Sequence, residues 1–284
     1  MNQLELKTRS ILKKYNLHPN KKLGQNFLID GQVLDSIAAA AELQKDDLVI
    51  EIGPGLGVLT AELCARAGEV IAVELDRRFI NILESTLNEY NNYRVIHEDI
   101  LKLDLKNLIN GLEHKGNVKV VANLPYYITS PVIMKLLEED LGLKTIIVMV
   151  QKEVARRISA DPGGKEYGAL SLAVSYYGSP SIVRDVPPES FIPRPEVISA
   201  VVKIDVYGVP QYDVRDKVLF FRFIKALFSQ RRKTILNSIS NSGLFSYNKT
   251  ELNQILDSIG VEGTLRPEAL SISDYVKIVN TLAR

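Results

Sequence analysis

The chain has 284 residues, 46% of them hydrophobic and 24% charged, with 35 Lys and Arg against 34 Asp and Glu. That profile excludes a disordered chain, and the length suits one large domain or two smaller ones. A net charge of +1 excludes a uniformly basic nucleic-acid coat protein. One cysteine excludes a disulfide framework, and His18, His97, His114 and Cys64 lack zinc spacing, so no metal is expected. The polar stretch from Met1 to Arg9 does not read as a signal peptide, and no apolar run is long enough for a membrane span. A reducing, cytoplasmic location away from membranes is expected.

The middle of the chain alternates short apolar runs with helical patterns. Strands are predicted at Leu48 to Ile52, Val70 to Glu74, Tyr93 to His97, Val118 to Ala122 and Thr145 to Val150. Helices are predicted at Val58 to Arg66, Arg77 to Asn88 and Val132 to Glu139, the last with Ser130 as N-cap and Pro131 at its first position. This order implies an α/β fold, a mostly parallel sheet with helices on both faces. Gln151 to Ala160 and Ala169 to Tyr177 read as helices around a flexible break at Asp161 to Gly164. Ser181 to Val186 and Val197 to Val206 read as late strands closing the sheet as a hairpin, joined by a Pro-rich loop. Gly208-Val209-Pro210 marks a boundary between domains 1–208 and 209–284. Beyond it only helices are predicted: Val214 to Phe228, Lys233 to Ser240, Lys249 to Ser258 and Ile272 to Leu282.

The near-zero net charge hides a polarised distribution. Residues 1–26 carry +5, 27–210 carry −8, 211–250 carry +6 and 251–284 carry −2. Two basic blocks bracket an acidic body. They are either solvated helix faces or a split footprint for a polyanion, and charge alone does not choose.

Gly53-Pro54-Gly55-Leu56-Gly57 lies between the first predicted strand and its helix. Glycines there serve either packing or the close approach of backbone to a ligand. Glu74 ends the next strand, 21 positions after Gly53. A carboxylate at that place can accept hydrogen bonds from both ribose hydroxyls, so the loop reads as a nucleoside-cofactor site. NAD is one candidate, but the third glycine comes one residue too early for its usual fingerprint. The spacing is closer to that of S-adenosylmethionine (SAM) enzymes. Asp99, just past the third strand, would accept from an adenine amino group at the far edge.

Asn123-Leu124-Pro125-Tyr126 follows the fourth strand, at the carboxyl edge where α/β sheets bind ligands. The lone pair of an adenine 6-amino group is delocalised into the ring, which makes it a poor nucleophile. Two acceptors aimed at its two N–H bonds would pull the nitrogen toward tetrahedral geometry. The Asn123 side-chain oxygen and the Leu124 carbonyl can be those acceptors. Pro125 fixes the backbone, and Tyr126 offers a ring on which a flipped base can stack. Such a site works by orientation and electrostatics and needs no general base.

These motifs occur in a fixed order. Leu23-Gly24-Gln25-Asn26-Phe27-Leu28 precedes Glu51-Ile52-Gly53-Pro54-Gly55-Leu56-Gly57 and Val73-Glu74-Leu75-Asp76. Glu98-Asp99-Ile100, Asn123-Leu124-Pro125-Tyr126 and Val150-Gln151-Lys152-Glu153-Val154-Ala155 follow, then Phe191-Ile192-Pro193-Arg194-Pro195 and Ser229-Gln230-Arg231-Arg232-Lys233-Thr234. With these motifs the chain resembles, nearly end to end, the bacterial 16S ribosomal RNA adenine dimethyltransferases, the kasugamycin-sensitivity (Ksg) methylases. The resemblance implies a Rossmann-like SAM-dependent methyltransferase domain followed by a small all-helical rRNA-binding domain. It implies transfer of four methyl groups, two to each of two adjacent adenines near the 3′ end of 16S rRNA, in an immature 30S particle. It assigns Asn26, Leu28, Gly53, Gly55, Glu74, Asp99 and Asn123 to the cofactor. It assigns Asn123, Leu124, Pro125 and Tyr126 to the target base, with Phe191 closing the other face of the stack. It also suggests a monomer.

The basic block then becomes a candidate for phosphate contacts through Arg222, Lys225, Arg231, Arg232 and Lys233, interleaved with phenylalanines that belong mostly to the core. Other readings stay open. One is an Erm-type enzyme acting on large-subunit rRNA. Another is a DNA adenine methylase, whose Pro-Pro-Tyr has Leu124 in place of its first Pro. A third is an assembly factor that binds RNA without catalysis.

Overall fold

The computed structural model describes residues 2–20, 23–112, 114–230 and 232–283. Its first elements are α1 (Gln3–Lys14), a two-residue strand β1 (Phe27–Leu28) and α2 (Gly31–Ala41). Strands and helices then alternate: β2 (Leu48–Ile52), α3 (Val58–Arg66), β3 (Glu69–Glu74), α4 (Ile80–Thr86), β4 (Tyr93–His97), α5 (Leu105–Asn110), β5 (Val118–Asn123), α6 (Thr129–Glu138), β6 (Leu143–Gln151). The chain continues through α7 (Lys152–Ile158), α8 (Ala169–Tyr177), β7 (Gly178–Val186), β8 (Phe191–Ile192) and β9 (Ser199–Val206). The last stretch is helical: α9 (Lys217–Phe228), α10 (Ile235–Ser242), α11 (Lys249–Ser258) and α12 (Ile272–Leu282).

Seven strands form one sheet in the order β4-β3-β2-β5-β6-β9-β7. Strands β2 to β6 pair in parallel, and β9 runs antiparallel to β6. The central strands are buried on both sides, which is why they read as unbroken apolar runs. The chain winds outward from β2 to β4, then returns to β5 on the other side of β2. Loops leaving β2 and β5 therefore diverge, and a crevice opens at their carboxyl ends.

Several expectations shift. Helix α6 begins at Thr129, a turn of 3-10 helix at Tyr126–Ile128 running straight into it. Ser130 and Pro131 thus sit inside its first turn, where proline is tolerated, and Ser130 is not the cap. The late strands β7 and β9 are sheet neighbours as expected, but the Pro-rich loop between them carries β8, which pairs antiparallel with β1. Val197 and Ile198 lie outside β9 and are exposed. The boundary at 208 is also only half of the division. One compact unit comprises residues 1–155 and 180–208, the other residues 156–179 and 209–284. Helix α8 belongs to the second unit because Leu172 and Tyr176 complete an apolar core with Phe220, Phe223, Leu227 and Tyr275.

In the first unit, an ion pair is buried at the amino end of the sheet. Lys119 Nζ lies 2.8 Å from Asp47 Oδ2 and also donates to the carbonyls of Ala41 and Glu42. Asp47 accepts further N–H bonds from Gln44 and Asn117. Burial works to raise the Asp47 pKa, but the Lys119 and backbone bonds outweigh it and hold the carboxyl below its usual range. Every lone pair has a donor, so the pair is tolerated and breaking it is costly. Lys119→Met alone should lose about 3–5 kcal/mol of unfolding free energy, and the double variant with Asp47→Asn should recover much of it. Urea titrations followed by circular dichroism measure both, and an undiminished stability of the single variant would contradict this account.

Candidate active site at the carboxyl edge of the sheet

The glycine loop leaves β2 at the crevice. Gly53, Gly55 and Gly57 all have positive φ, at 72°, 55° and 81°. A Cβ on Gly55 would stand 3.3 Å from the Phe27 ring, and one on Gly57 3.0 Å from Thr86 Oγ1. Side chains are thus excluded at both positions, by conformation and by contact. At Gly53 a Cβ would meet nothing within 4 Å, so this glycine borders open space.

Glu74 ends β3 beneath the loop and is only 6% exposed. Its Oε2 accepts the Gly55 N–H at 3.1 Å and its Oε1 accepts the Asp76 N–H at 2.7 Å. Burial raises the Glu74 pKa against those backbone bonds. One carboxylate therefore fixes the glycine loop and the turn after β3 together.

The segment before β1 forms the opposite wall. Gln25 donates to Asp76 Oδ2 at 2.8 Å and accepts the Asn20 N–H at 2.7 Å. Arg78 clamps Asp76 at 2.6 Å and, with the Gln25 bond, holds its pKa down to about 2. Asn123 Nδ2 donates to the backbone carbonyl of Asn26 at 3.0 Å. That bond settles the orientation of the Asn123 amide: its nitrogen faces the wall and its oxygen is left for something else. The Leu124 N–H is anchored to the Met149 carbonyl of β6 at 3.2 Å, and its side chain is buried.

A cleft of about 270 Å³ results. All seven residues expected at a cofactor line it: Asn26, Leu28, Gly53, Gly55, Glu74, Asp99 and Asn123. Leu124, Pro125 and Tyr126 line it too. Asp99 uses Oδ1 to accept the Leu101 N–H at 3.0 Å, which leaves Oδ2 for a ligand. Phe191, expected at the other face of the stack, is placed differently from these residues. It is 1% exposed, packs in the core with Leu28, Val33 and Val186, and is absent from the cleft walls. Pairing of β8 with β1 sets it opposite Leu28, which both lines the cleft and joins that core.

Residues that sequence reasoning passed over also line the cleft, among them Gln25, Leu101, Tyr127 and Glu51. Glu51 stands inside the quoted glycine motif, and its position within an apolar strand was the signal. Burial, then the nearby Glu74 charge, push its pKa up to about 8, although Thr60 opposes the shift. Its Oε2 is buried with no hydrogen-bond partner.

The expected RNA-contact residues lie in the second unit. Arg222 and Lys225 are exposed, three positions apart on one face of α9, whose other face buries Phe220, Phe223, Ile224 and Leu227. Arg232 and Lys233 are exposed as well, whereas Arg231 lies outside the described residues. Among the described residues no group of three or more His, Cys, Asp or Glu could hold a metal ion, and no helix is long and apolar enough to cross a membrane.

A glycine loop, an acid ending the next strand and an Asn-Leu-Pro-Tyr turn at the topological switch of a Rossmann-like sheet define a methyltransferase. Comparison with known proteins narrows the class. The family description "Ribosomal RNA adenine dimethylase" matches residues 16–284. The chain is 47% identical over 278 residues to a protein of Alkaliphilus oremlandii named Ribosomal RNA small subunit methyltransferase A, covering 98% of this chain and 96% of that one. A protein of the same name from Clostridioides difficile is 46% identical, with 97% and 94% covered. Among solved structures, a dimethyladenosine transferase from Plasmodium falciparum superposes with a TM-score of 0.76 at 26% identity, over 89% of this chain and 95% of that one. The 23S rRNA methyltransferase ErmE gives 0.71 at 26%, over 91% and 100%. The chain belongs to the ribosomal RNA adenine dimethylase family.

The buried acid at Glu51 has a measurable consequence. Its folded pKa lies above the unfolded value, so stability is full at low pH and falls as pH rises from about 4.5 toward about 8. Glu51→Gln should flatten that fall, with Glu74 leaving a remainder of the same sign. Urea midpoints at several pH values in this window test it; an unchanged pH slope in Glu51→Gln would contradict the buried neutral acid.

Proposed function

We propose that this enzyme uses SAM to dimethylate the 6-amino groups of two adjacent adenines near the 3′ end of 16S rRNA, in an immature 30S particle. The observation that carries this reading is the Asn123 Nδ2–H bond to the Asn26 carbonyl at 3.0 Å, because it commits Asn123 Oδ1 to acceptance. The names borne by the curated relatives, at 46–47% identity over nearly their whole length, support the small subunit as target.

The cleft suits SAM in the chemistry of its donors and acceptors. Glu74 lines the cleft where a carboxylate can meet the ribose hydroxyls, and Asp99 Oδ2 is available to an adenine amino group. Gly53 leaves room for a close approach of the ligand to backbone. Asn26, Leu28, Gly55 and Asn123 complete the walls. When bound, the cofactor supplies a methyl group already activated on a sulfonium centre.

Other steps fall to the chain itself. Asn123 Oδ1 and the Leu124 carbonyl take one N–H each of the target amino group and free its lone pair for in-line attack. The Leu124 carbonyl keeps its aim because its own N–H is tied to β6 and Pro125 fixes the next φ at −57°. Tyr126 offers its ring to the flipped base. No His or Lys lines the cleft among the described residues, which suits a reaction in which the amino proton leaves to water afterwards.

The second unit, with the exposed cations Arg222, Lys225, Arg232 and Lys233, would track rRNA phosphates, and Arg231 joins them by sequence. We infer a cytoplasmic monomer acting on ribosomal particles. The likeness to ErmE keeps a large-subunit target as the second reading. Incubation with labelled SAM and unmethylated 30S particles, and in parallel with unmethylated 50S particles, then mapping of the modified nucleotides, decides between them. Modification confined to 23S rRNA would overturn the proposal.

Two variants separate chemistry from docking. Asn123→Ala should lower methyl transfer at least about 100-fold while binding to 30S precursors stays within about twofold. Near-normal methylation would refute the acceptor role, and lost binding would refute its restriction to chemistry. Replacing Arg222 and Lys225 together with Glu should weaken particle binding and reduce its log–log salt slope by about 2, with SAM affinity unchanged. An unaltered slope in filter-binding titrations would remove α9 from the footprint.

A further inference from the structure

Tyr126 is the one aromatic ring of the Asn-Leu-Pro-Tyr turn assigned above to the target base, and its hydroxyl is not free. It lies 2.7 Å from Ser199 Oγ, 73 residues away in sequence. Ser199 opens β9 and is completely buried. Register places it opposite Gln151, the last residue of β6. Asn123 ends β5, on the other side of β6, opposite Met149. The turn from Asn123 to Tyr126 thus reaches across the carboxyl end of β6 and is fastened on the far side by a hydroxyl pair. On its near side it is fastened by Leu124 N–H to Met149 and by Asn123 to Asn26.

We propose that Ser199 is a positioning residue for methyl transfer: its hydroxyl sets the tilt of the Tyr126 ring, and with it the plane in which the target base lies between Asn123 and Leu124. This rests on the functional reading given above. The physical reason is that a ring on a one-carbon stem can tilt about two torsions, and stacking against a base is worth little unless the tilt is fixed beforehand. Apolar neighbours restrict such a ring only loosely. A hydrogen bond at its tip to a rigid strand restricts it at the longest lever arm. Ser199 is well suited to this, since β9 is paired through its length with β6 and Lys152 N–H fastens Ile198 just ahead of it. The contribution of the Phe191-to-Pro195 loop and its continuation to the base site then runs through Ser199, six residues beyond Pro193, and not through the Phe191 ring, which is in the core.

Two hydroxyls that act as one unit must be redundant in a double-mutant cycle. The cycle comprises the wild type, Tyr126→Phe, Ser199→Ala and the double variant, each assayed with labelled SAM on unmethylated 30S particles. Each single variant should lower kcat about threefold to tenfold, the worth of one hydrogen bond, and the double variant should be no slower than the worse single. KM for SAM should stay unchanged in all of them. Ser199→Thr, which keeps the hydroxyl, should retain more than half of the wild-type kcat. Because Ser199 is buried, Ser199→Ala also lowers folding stability. Tyr126→Phe removes the same bond from its half-buried end, and each kcat is referred to folded enzyme counted by its SAM-binding stoichiometry, a readout in which lost stability does not pass for a slower step. Losses that multiply in the double variant would overturn the proposal, as would a wild-type kcat in Tyr126→Phe. The rate of the wild-type chain on 30S particles reports on the functional reading, and the cycle among the variants on the hydroxyl pair.

Discussion

The carboxylate of Glu74 is the fixed point from which the cleft is built. It is nearly buried, yet each of its oxygens accepts a backbone N–H, one from the glycine loop and one from the turn after β3. A buried carboxylate without donors would be very costly, so the loop's conformation and the acid's burial require each other. The turn it holds presents Asp76, which is clamped by Arg78 and in turn holds Gln25. Gln25 belongs to the segment leading to Asn26, and the Asn26 carbonyl orients Asn123. A continuous line of hydrogen bonds and short chain segments therefore runs from the glycine loop to the side chain proposed to touch the reacting nitrogen. Loss of order at Glu74 would be felt at both ends of the cleft.

Two acids close together in an apolar floor cannot both carry charge cheaply. Glu74 has its backbone donors. Glu51, one strand over, has a buried oxygen with no donor, and its pKa rises accordingly. The division of labour follows from local geometry: the acid at a strand end reaches loop amides, whereas the acid inside β2 is fully buried beside Thr60 of α3. The neutral form is thus favoured at Glu51, which lessens the repulsion with Glu74 beside it.

Much of this was visible in the residues. The alternation of apolar runs with helical patterns placed all five parallel strands, because the strands buried on both faces read as unbroken apolar runs and the less buried β4 is still bounded by polar residues. The glycine loop, Glu74, Asp99 and Asn123 were legible because each sits where a strand ends, and strand ends of such sheets meet at one edge. Helix α2 carries a clear signature, Asp30 as N-cap and Val33, Leu34, Ile37, Ala38 and Ala41 on one face, which the focus on the glycine loop passed over. Helix α1 is hidden for another reason: it is mostly polar and buries only Thr8 and Ile11. The pairing of β1 with β8 left no local trace, since two residues have no periodicity and the partners lie more than 160 positions apart. The burial of Phe191 was hidden for the same cause. A ring beside a ligand and a ring in the core look alike in sequence, and the burial of this one shows only once the chain is folded. The grouping of α8 with the later helices was equally hidden, because a helix shows that it has an apolar face but not which unit covers it.

The near-zero net charge gains a physical sense from the same division. Acidic residues concentrate in the sheet-bearing part of the chain, where Glu51, Glu74, Glu98 and Asp99 crowd one cleft that suits a cationic, nucleoside-bearing cofactor. Cations concentrate on the exposed face of α9 and just past its end, where they have no carboxylate within ion-pair distance among the described residues. A cation left unpaired on a rigid helix keeps its full field for a polyanion, whereas one paired within its own helix, as Arg9 is with Glu5 in α1, has part of that field cancelled. Of the two basic blocks, the second is therefore the better suited to phosphates, although the two carry almost the same net charge.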